Sequence, residues 1–130
     1  MELGKNAKIK TYTDLLVWQE GHKLVLEIYK CTKIFPKEEM FGLTSQMRRA
    51  VVSVTSNIAE GFNRQTLKDK INFYYNSRGS LMEVQNQIII AKDIDFLNKD
   101  NFENLLGITI QVSKLLNGLI KSCLRLVNGD

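Results

Sequence analysis

Apolar residues recur along this chain at the three- and four-residue spacing of helices, and no segment alternates as a strand would. The pattern is clearest over 43–64, LTSQMRRAVVSVTSNIAEGFNR. Wound at about 100° per residue, Leu43, Met47, Ala50, Val51, Val54 and Ile58 fall in one arc of roughly 100°, the width of a core-facing stripe. Ser45, Gln46, Arg49, Ser53, Ser56, Asn57 and Glu60 fall on the far side within about 120°. A face of small hydroxyls and amides suits close packing with polar pairing, or a partner, and is more than a simple monomeric bundle needs.

The same periodicity predicts three further helices. The first spans about 20 residues and starts near Thr13 or Asp14, either of which can cap free N–H groups. Trp18, His22, Val25 and Tyr29 repeat along it, with Leu15, Leu26 and Ile28 beside them. It should stop between Thr32 and Phe35, because Pro36, the only proline, cannot continue it but can open the next segment. Gly42 marks a bend before the second helix, and Gly61 is placed as its C-terminal cap. The third opens on Thr66 with Asp69 as an approximate capping box, and runs through Leu67, Ile71, Tyr74, Leu81, Val84, Ile88 and Ala91. The fourth opens on Asp100 with Glu103 and runs through Leu105, Ile108, Val112, Leu115, Leu119, Cys123 and Leu126. Four helices with short connections predict an all-α fold, an antiparallel up-down-up-down four-helix bundle over 14–127 behind a basic arm at 1–13.

Composition narrows the function classes. The chain of 130 residues is long enough for one domain with a real core, and its 44% hydrophobic and 25% charged residues disfavour disorder. No apolar run is long enough to span a membrane, and no apolar stretch follows the basic residues of MELGKNAKIK as in a signal peptide. A cytoplasmic location with no membrane partner is the expectation. With only His22 and the widely separated Cys31 and Cys123, no metal or other cofactor is expected. In an up-down bundle the two thiols would sit at opposite poles, out of disulfide reach. Asn57 and Glu60 have no second acid, histidine or nucleophile at a helical spacing that makes a reaction centre, so an enzyme is not expected.

The motif order VWQ (17–19), FP (35–36), FGLTSQMRRA (41–50), SNIAEG (56–61) and GSLMEVQNQ (79–87) resembles the bacterial four-helix-bundle family also called the 23S rRNA intervening-sequence proteins. The resemblance extends from about Asp14 to Leu126. It implies a small left-handed bundle assembled as a homopentamer, with an activity undefined for most members. Some members are encoded inside insertions in large ribosomal RNA genes, which implies RNA as a partner. The accessory variability proteins of diversity-generating retroelements are similar in fold and imply a basic pentamer beside nucleic acid. Two positions depart from the family pattern: Thr55 stands where proline is common, and Gln85 where a second glutamate often follows Glu83. The first departure predicts a straighter second helix, and the second removes a possible arginine partner.

Candidate contacts follow from the charges. The net charge of +4 comes from 18 basic and 14 acidic side chains, and no segment is basic enough to announce nucleic acid by itself. Arg64, Lys68, Lys70 and Arg78, with Lys5, Lys8 and Lys10 on the arm, are the candidate phosphate contacts to RNA or DNA. Arg48, Arg49, Ser53, Asn57, Glu60 and Trp18 are the candidate polar stripe or subunit interface. Arg48 points toward a neighbouring surface with Val52, Thr55 and Ala59. Both arginines are expected either to touch phosphate or to pair with carboxylates such as Glu60 or Glu83. Gly79 and Ser80 suit close helix crossings, and at least one ring of Phe73, Tyr74 and Tyr75 must leave the core. The alternative to a nucleic-acid partner is a homo-oligomeric scaffold that binds a protein.

Overall fold

In a computed structural model describing residues 8–129, the first helical element among the described residues is a 3-10 turn at Tyr12–Asp14. The Asp14 carboxylate accepts the backbone N–H groups of Lys10 (2.9 Å) and Thr11 (3.1 Å), and these two donors hold its pKa below the ordinary carboxylate value. Contrary to the expectation from sequence, Thr13 and Asp14 therefore do not cap the first helix. That helix, α1, spans Leu16–Thr32, with Leu15 as a cap position that lends no side-chain bond.

The α1 stripe also faces differently from the expectation. The buried residues are Val17, Gly21, Leu24, Ile28, Cys31 and Thr32, whereas Trp18 and Val25 sit at the rim and His22, Leu26 and Tyr29 are exposed. Gly21 lets α2 come close, and the methyl of Thr55 lies 3.0 Å from where a Gly21 Cβ would stand. After Phe35 and Pro36, a 3-10 turn at Lys37–Glu39 leads into α2, Leu43–Phe62. Glu39 Oε1 accepts Leu43 N–H at 3.0 Å, and a Cβ on Gly42 would meet that oxygen at 2.8 Å.

α2 buries every residue of its predicted apolar arc, with Met47, Val51, Val54 and Ile58 fully enclosed. It runs unbroken through Thr55, whose hydroxyl bonds Val52 O at 3.1 Å. Gly61 is not a left-handed cap. It lies inside the helix and is buried, and a Cβ there would stand 2.6 Å from Tyr74 Cε1. The cap position is Asn63, and the Lys70 ammonium reaches back to Phe62 O at 2.6 Å.

α3, Leu67–Asp93, starts at Thr66, whose hydroxyl accepts Asp69 N–H at 3.2 Å as predicted. Its inner side carries Ile71, Tyr74, Leu81, Val84, Ile88 and Ala91, together with Ser77, whose hydroxyl donates to Val54 O at 2.8 Å. α4, Lys99–Asn128, is capped by Asn98, which accepts Asn101 N–H at 2.7 Å, so it begins before the predicted Asp100 box. Leu105, Ile108, Val112, Leu116, Ile120 and Cys123 are buried in α4, while Leu115 and Leu119 lie at the rim and Leu126 is exposed.

The four helices form one bundle in which each packs on its sequence neighbour and α1 also packs on α4; no strand occurs among the described residues. The α2–α3 pairing is the most extensive. Phe35 and Phe96 meet at 5.3 Å where the α1–α2 and α3–α4 connections come together. Cys31 and Cys123 are both buried and free, and burial raises the pKa of each thiol. No helix is long and apolar enough to cross a membrane among the described residues.

Candidate functional site

The outward side of α2 carries the predicted polar stripe and forms the shared wall of two clefts. One, of about 650 Å³, lies against α1 and is lined by Tyr29, Met40, Arg48 and Val52. The other, of about 570 Å³, lies against α3 and is more polar, lined by Phe41, Gln46, Ser80, Glu83 and Gln87. Ser45, Arg49 and Ser53 border both. Phe41, at the mouth of the second, is 95% exposed, an unusual position for a large apolar ring.

Within this face the side chains divide into bonded and unbonded groups. Ser53 and Ser80 hydroxyls lie 2.8 Å apart across the α2–α3 seam, and Asn57 Nδ2 donates to Ser53 O at 2.9 Å. Arg48 turns to α1, where its Nε donates to Thr32 Oγ1 at 2.9 Å and its guanidinium lies 4.7 Å from the Tyr29 ring centre. The expected carboxylate pairing is thus replaced by a hydroxyl and an aromatic face. Glu60 pairs with Arg64 at 3.1 Å, both well exposed, so this ion pair adds little stability. Arg49 and Glu83 make no ion pair with any described residue. Trp18 belongs to a separate cluster, stacked on His22 at 4.8 Å with Tyr12 edge-on at 5.6 Å, and lines neither cleft.

Three of the four candidate phosphate contacts have intrachain roles. Arg64 holds Glu60 and lies 4.5 Å from the Phe73 ring centre. Lys70 caps α2. Arg78 donates to Asn117 Oδ1 at 3.2 Å and covers Tyr75, the exposed ring of the predicted trio. Only Lys68 is exposed and without a polar partner among the described residues. Lys8 and Lys10 are exposed, and Lys5 lies outside the described residues. Gln85 faces α4, donating to Thr109 Oγ1 at 3.2 Å, so it stands away from Arg49.

Packing brings together basic groups that spacing alone did not join. Cys123 lies close enough to Lys70 to feel its charge and close enough to Tyr74 to act on that phenol, which brings the last turns of α4 near the start of α3. Lys121 and Arg125 thereby join Arg64, Lys68 and Lys70 around one end, with Glu60 and Asp69 as the nearby acids. The end joined by Phe35 and Phe96 instead carries Glu38, Glu39, Asp93, Asp95 and Asp100 among Lys33, Lys37, Lys92 and Lys99. Lys121 and Arg125 were missed because linear spacing separates them from residues 64–70; the predicted helix order was the signal that could have found them.

Among solved structures, the fold is similar to a protein of unknown function from the S23 ribosomal protein family of Bacteroides thetaiotaomicron. The TM-score is 0.75 at 19% identity, over 82% of this chain and 96% of that one. No curated protein matches the sequence. The family model described as 23S rRNA-intervening sequence protein matches residues 13–118, and the chain belongs to that family.

Proposed function

We propose that this protein is a non-enzymatic, self-assembling helical bundle that binds RNA or another nucleic acid through phosphate contacts. The observation that carries the proposal is the convergence of Arg64, Lys68, Lys70, Lys121 and Arg125 on one end of the molecule. The intrachain bonds of Arg64 and Lys70 leave their positive charge in place, so both still add to the field at that end. The family name, which refers to intervening sequences of 23S rRNA, supports RNA as the nucleic acid.

The bundle is read as antiparallel, up-down-up-down, supported by the contacts of Thr55 with Gly21, Ser77 with Val54 and Gln85 with Thr109. Homopentamer assembly is proposed from the family resemblance, and five copies would carry about +20. Such an assembly would multiply a modest monomer patch into useful avidity. A cytoplasmic location fits a ribosomal RNA partner. The exposed Phe41, with Met40 and Val52 nearby, favours a second reading, in which the same assembly is a scaffold for a protein anchored on apolar side chains.

Binding of nuclease-treated protein to labelled structured RNA and duplex DNA across a salt series separates these readings. Phosphate binding weakens linearly in log affinity with log salt and falls when Arg64, Lys68, Lys121 and Arg125 are neutralised together. Absence of binding at low salt by an intact oligomer removes the nucleic-acid proposal and leaves the scaffold. Light scattering on the same sample tests the fivefold mass.

A further inference from the structure

The cleft between α2 and α3 holds a buried acceptor with nothing to accept. Gln87 is only 8% exposed and lines the cleft, and its Oε1 has no hydrogen-bond partner among the described residues. Leaving a buried polar group unmet is costly, so a bound donor at this place is favoured. The two walls carry opposite charges. Arg49 stands on the α2 wall and Glu83 on the α3 wall, and neither forms an ion pair with a described residue. Nearby hydroxyls of Ser53 and Ser80 are already joined to each other, which fixes the seam below the two charges.

We propose that this cleft is a binding site for a small zwitterion of the α-amino acid class. The ligand's carboxylate would take the Arg49 guanidinium, whose planar fork matches a carboxylate in a two-bond pair. Its ammonium would donate to Glu83 and to Gln87 Oε1, meeting the orphaned acceptor. The cavity, about 570 Å³, lies within the range of small-molecule sites and admits an amino acid with a side chain. The Phe41 ring at the mouth is placed to cover an apolar part of that side chain. The site is separate from the basic end and does not depend on nucleic-acid binding.

The test is a titration of the full, uniformly ¹⁵N-labelled chain with glycine and L-glutamine, and in parallel with sodium acetate and methylammonium chloride, each carrying half of the zwitterion. The Gln87 side-chain amide and the backbone amides of Arg49 and Glu83 should shift saturably with the amino acids. Each half-ligand should bind at least about tenfold more weakly. Arg49→Met and Glu83→Gln, both at exposed positions, should each weaken amino-acid binding about tenfold or more with unchanged melting temperature. Gln87→Met keeps the side-chain volume while removing the acceptor and should weaken binding without abolishing it. Three results overturn the proposal: no saturable shift at millimolar amino acid, equal affinity for acetate and glycine, or shifts at these amides that follow protein concentration instead of ligand. The last would assign the cleft to a second copy of the chain.

Discussion

The two sides of α2 are built from one run of sequence yet end in opposite states. Toward the core, Met47, Val51, Val54 and Ile58 are fully enclosed, and the nearby buried hydroxyl of Ser77 has its partner in Val54 O. Away from the core, Arg49 makes no ion pair with a described residue, the adjoining Gln87 Oε1 has no hydrogen-bond partner among them, and Phe41 stands in the open. The inner side is completed by this chain alone. The outer side holds groups that the chain leaves unpaired, which is why the proposed ligand and assembly contacts are assigned to it.

Removing atoms from each side is the strongest way to break the comparison. Met47→Ala deletes a fully buried side chain and should cost about 2–5 kcal/mol. Arg49→Ala should leave the stability of the fold within about 0.5 kcal/mol, because it loses no intrachain ion pair. Denaturant unfolding of both variants measures the contrast. Equal losses would mean that the outer side also holds the monomer together.

Alkaline pH tests the inner side next. Tyr74 is 2% exposed, and burial, with a smaller contribution from Cys123, pushes its pKa from 10.0 up to about 12. The folded state therefore keeps this proton more tightly than the unfolded state. Its stabilising contribution is complete below pH 10 and is lost as pH rises from 10 to about 12, a change of about 2–3 kcal/mol at most. The raised thiols of Cys31 and Cys123 start the decline as pH passes 9.0. Denaturant midpoints should hold steady up to about pH 9 and then fall. A midpoint that stays flat to about pH 11 would show that Tyr74 ionises without unfolding the end it packs.

These tests also mark how far the sequence carried the structure. The inner arc of α2 was legible because six apolar residues share one narrow stripe, and helix period alone places them. On α1 the same method followed the large residues Trp18, His22 and Tyr29, while packing turned inward the face of Val17, Gly21, Leu24 and Ile28, where Gly21 leaves room for close approach of Thr55. Lys70 and Arg64 looked like free cations because only the folded turn shows the Phe62 carbonyl and the Glu60 carboxylate beside them. The unmet oxygen of Gln87 depends on which groups surround it in three dimensions, and no spacing rule encodes that. Gly61 looked like a cap because glycine serves helix ends and close contacts equally well. Its actual role, contact with Tyr74, predicts that Gly61→Ala costs about 1–3 kcal/mol, since the added methyl meets the ring at 2.6 Å.

Gly79 is the outward counterpart of Gly61 and should respond with the opposite sign. It lies mid-helix on the exposed side of α3, and no atom outside its local backbone stands within 4 Å of where a Cβ would be built. Gly79→Ala should therefore gain about 0.5–1 kcal/mol from helix propensity, with no steric loss to offset it. For a domain of this size that corresponds to a rise of about 2–4 °C in melting temperature. The sequence placed Gly79 at a close helix crossing, yet within one chain the crossing is absent. If melting temperature falls and oligomer mass falls with it, a second chain fills the space above Gly79, and the outer side of α3 joins that of α2 as an assembly surface. If melting temperature rises at constant mass, the open space is real in the assembled protein, and only α2 and its two clefts remain as the incomplete side of the molecule.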